Sequence, residues 1–170
     1  MAIETIFGLI IGGLIAFLST TVKDYINDKR KKEQEKKELS LKRLDEAFFY
    51  LSKIYSQTNK IFTSIMEDKE SIDTTKEASS LSFIIRVYFP HLSKDYDKYI
   101  EIYLDYGQFQ IKSAFNIQEL NKKTNLKKEE YNNLIYNYYT SDNYIKKQKS
   151  FYEGYNSLCS LLIDEGKKYN

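Results

Sequence analysis

Tryptophan is missing from this chain, and cysteine, histidine and proline occur once each, as Cys159, His91 and Pro90. A single cysteine excludes an intrachain disulfide and, with a single histidine, any four-ligand N/S zinc site. There is no Glu-x-x-His pair for a di-iron bundle, no Gly-x-x-x-x-Gly-Lys-Ser/Thr phosphate loop and no Gly-x-Gly-x-x-Gly fingerprint. A Ser–His or Cys–His pair would have to use His91, which comes directly after Pro90 at a helix junction where a turn or capping role is expected. Cys159 lies among Leu158, Leu161 and Leu162 and reads as a buried, inert thiol. Asp45-Glu46 and Glu129-Glu130 read as helix-surface charges. No catalytic constellation is visible, so a non-enzyme without cofactor or metal is expected.

Charge is the next absence. Residues 5–22 (TIFGLIIGGLIAFLSTTV) carry none. At ~1.5 Å per residue, a helix of that length reaches about 27 Å, against a hydrocarbon core of roughly 30 Å. Two competing readings are weaker. A buried core helix is usually shorter and has amphipathic neighbours. A signal peptide needs a basic start and an Ala-x-Ala-like site, whereas this chain opens Met-Ala-Ile-Glu and the run ends Ser-Thr-Thr-Val. A transmembrane anchor is expected over residues 5–22.

The adjoining segment is basic. Lys23, Lys29, Arg30, Lys31, Lys32, Lys36 and Lys37 crowd the first fifteen residues after the run, while only Glu4 precedes it. The positive-inside rule then places the N-terminus outside and the rest in the cytoplasm, single-pass. The absence of Asn-x-Ser/Thr acceptors and of disulfides agrees with that side. Net charge is +4 over residues 23–43 but −1 over residues 44–170. The expected headgroup contacts are therefore Lys23, Lys29, Arg30, Lys31 and Lys32, each contributing on the order of 1 kcal/mol near an anionic surface. A nucleic-acid partner needs a basic folded domain, and this one is slightly acidic, so none is expected.

Inside the run, Gly8, Gly12, Ala16 and Thr20 recur every fourth residue on one helical face. Small residues so spaced let two backbones approach in lipid, which makes this the expected transmembrane packing face and points to a homo-oligomer through the span.

From about residue 24 the pattern is helical. A charged juxtamembrane helix is expected over residues 23–40 and a helical bundle over residues 41–170. Leu41, Leu44, Phe48, Leu51, Tyr55, Thr58, Phe62 and Ile65 keep 3,4 spacing, a coiled-coil-like seam widened by Ala47, Ile54 and Ile61. Residues 67–75 read as a loop, with Thr74 and Glu77 forming a capping box for a helix that stops at Pro90. Ser93 is the expected cap of a third helix with stripes Ile100/Tyr103/Gly107/Ile111/Ala114 and Tyr99/Ile102/Tyr106/Phe109. Residues 121–125 read as a loop. Helices over 126–139 and 142–168 complete a four- or five-helix all-α bundle, the last with Ile145, Gln148, Tyr152, Tyr155, Cys159 and Leu162 on its seam. The sixteen tyrosines are read as core and boundary filler, with a partner surface as the alternative.

The layout resembles uncharacterised bacterial single-pass membrane proteins. They share a Gly-rich span like Ile10-Ile11-Gly12-Gly13-Leu14-Ile15, a basic helix like residues 30–43, a small cytoplasmic helical domain and an aromatic-Pro junction like Tyr88-Phe89-Pro90-His91-Leu92. The resemblance implies an architecture and an inner-membrane position, and no activity. The expected function is a membrane-tethered helical interaction module with lipid and a protein as partners. The alternative is a self-associating membrane-active effector, a toxin or exclusion factor.

Overall fold

The computed structural model describes residues 2–69 and 72–169, with side chains from Ser19 onward. Among the described residues it is all-α: six α-helices and one 3-10 turn, without strands. The helices are α1 (Ala2–Thr58), α2 (Ile61–Met66), α3 (Thr75–Tyr88), α4 (Ser93–Thr124), α5 (Lys128–Thr140) and α6 (Asp142–Lys167), and the 3-10 turn is Pro90–Leu92. Packing divides the chain after Leu41 into two compact units.

In the first unit every described residue from Ser19 to Leu39 is exposed. The sequence explains it, since Lys, Arg, Glu, Asp and Asn leave no continuous apolar stripe between residues 27 and 38. No Gly or Pro interrupts that stretch, so helix is retained.

The second unit holds the core. Its stripe on α1 is Leu44, Ala47, Leu51 and Ile54, none more than 3% exposed. The expected seam is corrected here: Leu41, Phe48 and Tyr55 are only half-buried, so the face is rotated toward Ala47 and Ile54. The seam is also not one helix, because α1 ends at Thr58 and α2 begins at Ile61. Thr58 Oγ1 donates back to the Ile54 carbonyl (2.6 Å) and Asn59 Nδ2 to the Tyr55 carbonyl (3.0 Å), hydroxyl and amide competing with the helical ladder.

The long α4 is flanked by α2, α3, α5 and α6. It buries Gly107 and Ala114 from one expected stripe, Tyr99 and Tyr106 from the other, and Tyr96 and Gln110 from neither. Its start is preceded by the 3-10 turn: Pro90 excludes helical geometry at Phe89 (φ −132°, ψ 54°). Ser93 is inside the helix rather than its cap. The expected loop at residues 121–125 is helical to Thr124, and Asn125, left-handed at φ 48°, ends it. Thr74 forms no capping box. Its hydroxyl bonds Tyr103, and Asp73 Oδ1 accepts the Thr75 N–H (2.8 Å) instead.

The C-terminal pair matches expectation at its break, where Ser141 Oγ accepts the Tyr144 N–H (3.2 Å) and caps α6. The α6 seam does so only in part: Leu162 is buried as expected, but Phe151, Leu158 and Glu165 from off the seam are buried with it, while Ile145 and Tyr152 are exposed. Aromatic rings join the helices. Tyr55 of α1 packs on Phe151 and Tyr155 of α6 (centroids 5.2 and 4.3 Å), and Phe62 of α2 stacks on Tyr138 of α5 (3.9 Å). Most of the tyrosine is filler of this kind, though Tyr25 and Tyr136 stand about two-thirds exposed.

Candidate functional site

The five expected headgroup residues, Lys23, Lys29, Arg30, Lys31 and Lys32, all lie on α1 and are all exposed. Lys23 and Arg30 are two turns apart and share a face with Val22, Ile26 and Asn27. Tyr25, on the same stretch, is 71% exposed. A long cationic side chain beside exposed aliphatic and aromatic surface is the combination suited to a lipid–water boundary, where stem and head partition separately. Among the described residues, the first ion pair along the chain is Arg43–Glu46 (2.5 Å), so acidic side chains do not neutralise those cations by direct contact.

Of the expected transmembrane packing face, Thr20 is exposed on α1, while Gly8, Gly12 and Ala16 lie outside the residues whose side chains are described. Among the described residues no helix is long and apolar enough to cross a membrane. That statement does not reach residues 5–18, the greater part of the expected anchor, whose side chains lie outside the described ones.

In the second unit the polar feature of note is Glu165, 4% exposed near the end of α6. His91 Nε2 is 2.8 Å from its Oε2, the Tyr169 hydroxyl donates to Oε1 (2.9 Å), and the Lys168 ammonium bonds Oε2. Burial pushes this carboxyl up, but the donors from Lys168, Tyr169 and His91 outweigh it, and it titrates below its ordinary 4.5. A turn role is expected of His91 from its neighbours, and no sequence signal announces its link to Glu165. A carboxylate held by three donors, with no nucleophile attached, ties the 3-10 turn to the end of α6. Its contribution to stability is present above the ordinary carboxylate range and lost as pH falls through the depressed value. Melting temperature against pH should therefore fall below about pH 4.5 in the wild type and be flatter in Glu165→Gln. Equal slopes for the two chains would remove Glu165 from the account of acid sensitivity.

Cys159 is half-buried beside Tyr155, and burial pushes its thiol up, away from the reactive thiolate. Among the described residues no group of three His, Cys, Asp or Glu side chains is placed to hold a metal ion. Two grooves border α3. One, about 500 Å³, lies against α4 and is walled by Ala78, Ser82, Phe83, Tyr96, Ile100 and Leu104. The other, about 340 Å³, lies against α1 and includes Arg43, Glu46 and Tyr50. Phe83 stands between them, 58% exposed. Neither groove gathers a base, an acid and a nucleophile.

No protein-family model, curated protein or solved structure matches this chain.

Proposed function

We propose that this chain is a non-catalytic helical interaction module tethered to a bacterial inner membrane, with residues 5–22 as a single-pass anchor, the N-terminus outside and the bundle at the cytoplasmic face. The observation that carries this reading is the charge-free run at residues 5–22 joined at once to seven cations. The exposed ring of Lys23, Lys29, Arg30, Lys31 and Lys32 supports the lipid contact. Large apolar side chains left exposed on α3 and α4, among them Phe83, Val87, Leu104 and Phe115, support the interaction half.

Alkaline carbonate extraction tests the tether. The full chain is expected in the membrane pellet, and a reporter fused after residue 170 is expected to be active only if it works in the cytoplasm. Release of the chain into the supernatant overturns the tether, and activity of a periplasm-only reporter overturns the orientation.

A further inference from the structure

The exposed side of α4 carries a second helical seam, beside the one that fills the core. Leu104, Ile111 and Phe115 are 49, 40 and 56% exposed, although α4 already buries Tyr99, Tyr106 and Ala114 on its inner side. Single exposed apolar residues are ordinary. Three of them at spacings of seven and four, with Gln108 exposed between, trace the seam that one helix presents to another.

Asp97 and Glu101 extend that seam toward the N-terminus of α4, with Lys94 beyond them, and Lys122 extends it toward the C-terminus, all four exposed and in heptad register with the apolar trio. Asp97 is already bonded to Arg86 (2.5 Å) and remains half exposed. A parallel pairing of two such helices would set Asp97 and Glu101 against themselves and Lys122 against itself. An antiparallel pairing removes those like-charge contacts and sets Glu101 against Gln118, which leaves Asp97 and Lys122 as its one opposite-charge pair. With a two-fold axis crossing α4 between residues 109 and 110, Leu104 meets Phe115 of the other copy, Gln108 meets Ile111, and Asp97 meets Lys122. The same surface is then used by both copies, as two-fold symmetry requires.

We propose that the outer face of α4 is a self-docking surface on which two copies of this chain pair antiparallel in that register. The apolar trio supplies the contact, and the avoided like-charge contacts set direction more than affinity. This pairing is separate from the one expected of Gly8, Gly12 and Ala16 and does not depend on the membrane reading.

The test uses the full chain, in whichever cell fraction holds it. Cys159 is the sole cysteine, so Cys159→Ser provides a thiol-free background. Two differently tagged copies then carry single replacements and are oxidised together. Leu104→Cys with Phe115→Cys and Asp97→Cys with Lys122→Cys are expected to give disulfide-linked heterodimers. Asp97→Cys with itself is expected to give at least tenfold less, because antiparallel partners place those positions about 37 Å apart at 1.5 Å per residue. Equal linking of Asp97→Cys with itself, or no linking of either mixed pair, overturns the proposal. Leu104→Glu with Phe115→Glu, both at exposed sites, should abolish native dimer while leaving the circular dichroism spectrum unchanged. Gly12→Ile should leave the mixed-pair linking intact, and loss of linking in that variant would assign the association to the span instead.

Discussion

Leu51→Asp is expected to unfold the second unit at 25 °C. Leu51 is fully buried at the middle of the α1 stripe, between Ala47 and Ile54, which are also fully buried. Removing a buried Leu side chain costs about 2–5 kcal/mol through lost transfer energy and the cavity left behind. An unpaired carboxylate in that position adds several kcal/mol more, or must take up a proton. Against a total stability of about 5–15 kcal/mol, the sum leaves little or nothing. With no tryptophan in the chain, near-ultraviolet dichroism reports the packed tyrosines directly, and its loss together with a vanished thermal transition is the expected result. Phe48→Asp separates the sequence-derived seam from the observed one. Phe48 is only half-buried, so its carboxylate reaches water, and a folded but less stable protein is expected. A melt of Leu51→Asp superimposable on wild type would mean that this face of α1 is not in the core.

The difference between Leu51 and Phe48 shows which features are legible in the sequence. Local signals read well. Ser141 announces the start of α6 because an N-cap needs only its own hydroxyl and the N–H three residues on, and Pro90 ends α3 through its own ring. The basic cluster after residue 22 is likewise a matter of adjacent side chains. Which face of each helix turns inward is less legible, because Tyr occupies core and surface alike. On α4 the two stripes look equivalent in sequence, yet the core takes Tyr99 and Tyr106 from one and Gly107 and Ala114 from the other, and leaves Ile111 open. Non-local features have no sequence signal at all. Glu165 reads as one more surface acid until packing brings His91 to it from 74 residues away. The break between α1 and α2 contains neither Gly nor Pro, and its stabilising partner lies on α4.

That partner is Gln110, and Gln110→Leu is expected to destabilise the bundle by about 2–6 kcal/mol, from two buried backbone groups at about 1–3 kcal/mol each. The interruption at residues 59–60 leaves a helix-ending carbonyl and a helix-starting N–H inside the protein, where water does not satisfy them. Gln110, 1% exposed, meets both needs with one amide: Nε2 donates to the Thr58 carbonyl (2.8 Å) and Oε1 accepts the Phe62 N–H (3.2 Å). Thr58 and Phe62 are themselves 0 and 2% exposed. Leu fills comparable volume and removes both bonds, so the effect reads the hydrogen bonds and not a cavity. Gln110→Glu refines the test. An ionised carboxylate keeps the acceptor for Phe62 but sets an oxygen against the Thr58 carbonyl. A protonated one regains a donor, so this variant should recover part of its lost stability as pH falls, opposite to the trend set by Glu165. Urea unfolding of the full chain at two pH values separates these outcomes, since a shift in midpoint at constant slope reports stability alone. An unchanged midpoint for Gln110→Leu would show that the ends of α1 and α2 find other partners, and that the break between them is set by Thr58 and Asn59 without help from α4.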